Sequence, residues 1–244
     1  MIQKGDANFP TTRWTLIAKA RSADEAVARR ALNDVCAQYH YPLYCYIRRS
    51  GLDHHDSEDA LHDFFAKLLR LEVFAGALQE MGRLRGLLIT ALRRFVANWH
   101  RNRHRIGREV SADAPFPAAD DEARYQKEKF IESETPERIF ERKWGHELLV
   151  RVYARLRESY ARKGRVQVFH ALRPALEAGG TLRDGDVPGI AAKLGITENA
   201  VRGTLVRLLV EYREILKSEV LQTVGSYAEV ADEIAHLQSV FQKR

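Results

Sequence analysis

The chain has 244 residues, 45% of them hydrophobic, and a formal net charge of +6 at pH 7. That length suits one large or two small domains, and the apolar content is enough to bury real cores. With 15 glycines, 7 prolines and little β-branched alternation, the composition excludes fibrous and mainly β classes and favours a mostly helical protein.

No run of eighteen apolar residues occurs, so a membrane span is not expected. The opening "MIQKGDANFPTTRW" lacks an apolar leader, so no secretory signal is expected either. Cys36 and Cys45 form no CxxC pair and join no His or Cys cluster at metal-ligand spacing. Both are read as reduced core residues of a cytoplasmic protein, with no metal and no cofactor. The sequence pI of about 9.4 points to a polyanionic partner, nucleic acid before membrane surface.

Helical spacing begins near Thr11 and runs, with breaks, to about His104. Ser22 with Glu25 three later reads as a capping box for the helix that follows, and Pro42 is expected to kink or divide that helix. "SGLDHHDSED" reads as a loop, with Asp56 or Ser57 capping the next helix. In that helix, "DSEDALHDFFAKLL", the residues Leu61, Phe64, Phe65, Leu68 and Leu69 recur at one-turn spacing as a core stripe. Asp56, Glu58, Asp59, His62 and Asp63 make an acidic patch beside it. Charge near the helix start suits the dipole, but His62 and Asp63 lie too far in for that reason to cover them.

Residues 83–108 hold eight arginines and no acid. Leu88, Leu92, Phe95 and Trp99 form the buried stripe, while Arg93, Arg94, Asn98, Arg101, Arg103 and Arg105 occupy the rest. A solvated helix normally interleaves both signs; one sign alone repels itself unless a polyanion neutralises it. Between Glu109 and Arg142 the balance reverses, to ten acids against five basic residues. This stretch reads as a flexible acidic linker, with a helix resuming at Pro136 after a Thr135 cap.

The most informative segment is "DVPGIAAKLGITENAVRGTLVRLLVEYREIL", residues 186–216. A short helix over 188–194 ends at Gly195, where a tight turn needs positive φ. Ala191 lets two backbones approach, Ile196 is expected to plug the core, Thr197 caps the second helix, and Val201 fills the crossing. This is the pattern of a helix–turn–helix. Glu198, Asn199, Arg202 and Arg207 fall on one side of the second helix, and Leu205, Leu208 and Leu209 on the other. The polar side suits base edges and phosphates in a major groove.

In their order and spacing, "DSEDALHDFFAKLL", "RGLLITALRRFVANWHRNRHR" and "VPGIAAKLGITENAVRGTLVRLL" resemble the extracytoplasmic-function sigma factors of bacterial RNA polymerase. The first two resemble conserved region 2 and the third resembles region 4. "TTRWTLI", "TPERIFERKW" and "YREILKSEVLQTV" resemble a subgroup with long interdomain linkers, and the likeness covers most of residues 11–237. It implies an all-α fold of two small helical domains. A region 2-like bundle would span 10–106, a linker 107–136, a region 4-like helix–turn–helix domain 137–224, and a C-terminal helical extension 225–244.

By the same resemblance the chain is a sigma factor and not an enzyme. Its partners would be core RNA polymerase (the β′ clamp helices and the β flap) and promoter DNA; an anti-sigma factor is a further partner class the likeness admits. Asp56, Glu58, Asp59, His62 and Asp63 would face the basic clamp helices. Arg83 and Arg85, in the loop over 79–86, would contact the opened −10 strand, Arg93, Arg94, Arg101, Arg103 and Arg105 the phosphates, with Asn98 also on the DNA, and residues 197–207 the −35 element. Departures from the family pattern are Arg93-Arg94 for its "RN" pair, Leu87 for a common tryptophan, and Gly203 for a serine. The competing reading is a helix–turn–helix regulator that acts on duplex DNA without polymerase. A hydrolytic enzyme is disfavoured, because no HExxH, GxxxxGK[ST] or GxSxG pattern occurs.

Overall fold

The computed structural model describes residues 24–70, 83–103, 121–128 and 133–242, together with Lys19, Ser22 and Phe130. Among these, every regular element is helical. The chain divides into two compact units, one of Met1–Glu147 with Val220–Arg244 and the other of Leu148–Glu219. The "TTRWTLI" stretch, residues 79–82, Arg105, most of the stretch read as a linker, and the side chains of Cys36, Leu69 and Arg103 lie outside the described residues.

In the first unit, helix α1 (Glu25–Arg49) starts two residues later than the capping box implied. Asp24 is the cap, its carboxylate accepting the Ala26 and Val27 N–H groups at 2.9 and 3.2 Å. Ser22 instead accepts the N–H of Asp24 itself. Pro42 does not divide the helix. A proline inside a helix costs about 3 kcal/mol, but here Tyr39, Leu43, Tyr44, Cys45 and Ile47 around it are fully buried. Their burial outweighs one missing backbone bond.

Helix α2 (His54–Arg70) begins earlier than expected. Asp53 caps it, its carboxylate accepting the Asp56 N–H at 2.9 Å, so the two histidines read as loop belong to the first turn. Leu61, Phe64, Phe65 and Leu68 are buried as the stripe predicted. Helix α3 (Leu84–Arg103) buries Leu84, Leu88, Leu92, Phe95 and Val96. The Phe95 ring meets Phe64 edge-on at 5.6 Å, which ties α3 to α2.

The acidic stretch is more structured than a tether. Asp121–Lys127 forms a short helix, α4, and Asp121 and Glu122 bond to His40, Tyr44 and Arg48 of α1. Helix α5 (Pro136–Arg162) starts where predicted, with Thr135 Oγ1 accepting the Arg138 N–H at 3.3 Å. Its first turns belong to the first unit: Ile139 packs with Tyr41 and Cys45 of α1, and Phe140 and Trp144 are buried. The last helix, α9 (Val230–Gln242), also belongs there, and a Cβ added at Gly145 would meet Leu237 and Phe241 of α9 at 3.1 Å. Apolar residues at 139–145 and 230–241 therefore draw both stretches into the first unit, and the second is narrower than the predicted 137–224.

In the second unit, α5 is followed by α6 (Val166–Glu177), α7 (Val187–Leu194) and α8 (Glu198–Leu221). One core joins Leu156, Phe169, Leu172, Val187, Ala191, Val201, Leu205 and Leu208. Gly195 takes φ +65° at the end of α7, and Thr197 Oγ1 accepts the Ala200 N–H at 3.3 Å at the start of α8. Ile196 does not plug the core; it is 36% exposed. Val201 and Leu205, on the inward face of α8, already fill the crossing against Val187 and Ala191, and the turn directs Ile196 outward.

Gly203 sits inside α8 with an ordinary φ, and a Cβ added there meets nothing within 4 Å. Gly203→Ala should therefore stabilise the second unit by about 0.5–1 kcal/mol, measured as a higher urea midpoint with unchanged slope. A loss of stability would show that this position is constrained by something other than helix propensity.

Candidate nucleic-acid interface

On α8 the structure brings the predicted reading residues together. Glu198, Asn199, Arg202 and Arg207 are exposed, and Thr197, also exposed, precedes them as the cap. Arg202 donates to Asp184 Oδ1 at 2.8 Å, with side chains 50% and 90% exposed. Such a pair is worth at most about 1 kcal/mol, so a guanine or phosphate can displace it. Arg207 donates to Thr204 Oγ1 at 3.0 Å. Val206 and Val210, which the sequence reading passed over, are also exposed on this helix; an apolar side chain beside a base-reading arginine suits a thymine methyl.

The arginines of the first unit fall into two groups. Arg93, Arg94, Asn98 and Arg101 are exposed on α3, and Arg101 bonds to Asn98. Arg83 and Arg85 differ. Arg85 is 6% exposed, with Nε and Nη2 on the Glu233 carboxylate at 2.6 and 3.1 Å and Nη1 on Glu141 at 2.7 Å. It also lies over the Trp144 ring. Arg83 Nε reaches Glu233 at 2.9 Å. Glu233 is fully buried, and a buried carboxylate needs cations around it. The expectation that Arg85 meets a DNA strand is corrected: its guanidinium is committed to α9 and α5. Nothing in "QEMGRLRG" distinguishes it, because its partner is 148 residues away.

The acidic patch has an exposed and a covered part. Asp59 is exposed, and Asp56, Glu58, His62 and Asp63 are half-buried. Burial, together with nearby His40, lowers the His62 pKa against the opposing pull of Glu58, Asp59 and Asp63. The ring is therefore neutral at pH 7 and leaves the carboxylates' charge undiminished.

Behind the patch, α4 is fastened to α1. His40 Nδ1 meets Asp121 Oδ2 at 2.6 Å, and Arg48 grips Glu122 with Nε and Nη2, both at 3.0 Å. Tyr44 donates its hydroxyl to Glu122. Partial burial would raise the Glu122 pKa, but the bonds from Tyr44, Gln126 and Arg48 and the Arg48 charge hold it down at about 2. Arg124 lies over the Tyr41 ring at 3.7 Å. The sequence reading missed these anchors. The available signal was slight: of the tyrosines over 39–46, only Tyr44 directs its hydroxyl to α4.

Among the described residues, one set of donor atoms stands close enough to share a metal ion: those of His54, His55 and Glu58, all within 4.8 Å of one another. No described helix is long and apolar enough to cross a membrane. Comparison with known proteins gives no matching family model, no matching curated protein and no matching solved structure.

The folded Glu122 carboxyl titrates at about 2, below its ordinary 4.5. Its contribution to stability is therefore complete above pH 4.5 and is lost as pH falls towards 2. Glu122→Gln should be less stable than the parent at pH 7, with the difference shrinking as pH falls through that window. Parallel stability curves from pH 7 to pH 2, followed by urea unfolding, would contradict the clasp.

Proposed function

We propose that this chain is a sigma factor of the extracytoplasmic-function type, working in the cytoplasm with bacterial core RNA polymerase. In this reading the acidic face of α2 docks on the basic β′ clamp helices, α8 reads the −35 element in the duplex, and the exposed arginines of α3 hold DNA near the −10 element. The chain has no catalytic role of its own.

One observation carries the reading: a cationic chain keeps an acidic face on α2 while exposing arginines on α3 and α8. Asp53 already caps α2 and Asp56 already sits in its first turn. Asp59 and Asp63, further along, are not needed there, yet Asp59 is exposed and Asp63 half-buried. An acidic face on such a chain fits a basic protein partner, where charge sets orientation and on-rate. The arginines of α3 and the polar face of α8 fit DNA. Asn199 and Arg202 can take adenine and guanine edges, and Arg207 a phosphate. Arg83, half-buried with Nε on Glu233, stays in the proposed DNA surface with Arg93, Arg94, Asn98, Arg101, Arg103 and Arg105; Arg85 leaves it.

The test is a titration of labelled full-length chain against core RNA polymerase. Reversing Asp59 and Asp63 to lysine should weaken binding at least about tenfold at low salt, with circular dichroism and binding to duplex DNA unchanged. Equal affinity of parent and variant for core enzyme would remove the docking assignment. Sequence-specific duplex binding without any affinity for core would favour a regulator acting alone.

A further inference from the structure

The start of α2 carries a group that neither core packing nor the proposed DNA surface uses, and of its members only Glu58 also belongs to the acidic docking face. His54 and Glu58 stand one turn apart and His55 lies beside them, its ring centroid 5.1 Å from that of His54. The protons at His54 can be placed. Tyr44 has one O–H, and it is donated to Glu122 Oε2. At the 2.9 Å contact between Tyr44 Oη and His54 Nδ1, the phenol oxygen must therefore accept and Nδ1–H must donate. Glu122 Oε2, 3.8 Å from the same nitrogen, favours that proton too. With Nδ1 protonated, the neutral form of the ring is the one that has its lone pair on Nε2.

In that form Nε2 faces Glu58 Oε2 at 3.6 Å, acceptor opposite acceptor, an arrangement that a shared cation stabilises. The separation exceeds the roughly 2.7–3.2 Å of an N–H···O bond. It is close to the edge of about 3.4 Å between two ligands that each sit about 2.0–2.1 Å from a tetrahedral ion. Two imidazoles and one carboxylate are a donor set for zinc-class ions, with a fourth position left open. The His54 and Glu58 side chains are 35% and 37% exposed, which provides an entry path. Tyr44, Glu122 and Arg48 form the layer behind, which orients a ligating histidine and fixes its tautomer. The carboxylates of Glu58 and Glu122 offset the positive end of the α2 dipole.

We propose that His54, His55 and Glu58 form a binding site for a divalent transition-metal ion of the zinc class, held in orientation by Tyr44 and Glu122. The site does not depend on the polymerase reading; it would stand if that reading failed.

The experiment uses the tag-free, full-length chain stripped with chelator and titrated with Co2+ and then Zn2+. One Co2+ per chain should bind with the visible absorption of a four- or five-coordinate ion, and Zn2+ should displace it. His55→Ala and Glu58→Gln should each weaken Zn2+ binding at least about tenfold, and Tyr44→Phe, which keeps the ring, about tenfold. The metal-free circular dichroism of His55→Ala should match the parent, since His55 is exposed. Absence of one-to-one binding at submillimolar metal would overturn the proposal and leave His54 as an imidazolium paired with Glu58. Unchanged zinc affinity in both His55→Ala and Glu58→Gln would overturn it equally, by placing the ion elsewhere.

Discussion

A carboxylate withdrawn from water must be surrounded by cations or bond donors, and two such groups organise the first unit. Glu233 is fully buried and holds Arg83 and Arg85, which ties α9 to the start of α3. Glu122 holds Arg48 and Tyr44, which ties α4 to α1. Each would be costly if left unpaired. Their pairing decides which arginines remain for other work. Arg48 and Arg85 are spent inside the fold, whereas Arg83, Arg124 and Arg142 are half-buried and paired with Glu233, Glu147 and Glu134. Arg93, Arg94 and Arg101 are exposed, and they carry the surface charge that a polyanion can reach. The net charge of the chain therefore overstates nothing about its sign but says little about its location.

Local signals made much of the fold legible. The 3.6-residue stripes of α2 and α3, the Thr135–Pro136 start of α5, the Gly195 turn and the Thr197 cap all depend on neighbours within a few residues, and they appear as the sequence implied, except that Trp99 at the end of the α3 stripe is only half-buried. What stayed hidden depends on distant partners. The caps are a local exception: Asp24 and Asp53, two and three residues from Ser22 and Asp56, accept the free N–H groups of the first turn instead. Pro42 was absorbed by burial of the tyrosines and leucine around it. The acidic stretch looked like a tether because its charges cannot form a core. Those same charges serve as partners for His40, Tyr44 and Arg48, some eighty residues upstream, and no local pattern announces such a pairing.

The same distinction applies to the proposed site. The polar face of α8 was readable, because a helix–turn–helix fixes which residues point outward once the glycine and cap are known. Arg85 was misread, because an arginine beside a loop looks the same whether it meets a strand or a buried glutamate. His54 and His55 were read as loop, and their relation to Glu58 emerged only when Asp53 proved to be the cap. Opposite charge on α2 and α3 gives the first unit one surface suited to a basic protein and another suited to DNA. In the proposed reading, the exposed arginine and asparagine of α8 would serve as a second DNA-reading element in the other unit.

The central claim is that these surfaces serve one task, bringing core RNA polymerase to DNA. The most direct measurement is reconstituted transcription: purified full-length chain, core polymerase free of other sigma factors, and fragmented genomic DNA, with transcript ends mapped by sequencing. The account predicts that initiation appears only when chain and core are both present, at start sites that share common −35 and −10 sequences. Transcript starts indistinguishable from those of core enzyme alone, with the chain bound to DNA but absent from the polymerase, would contradict it.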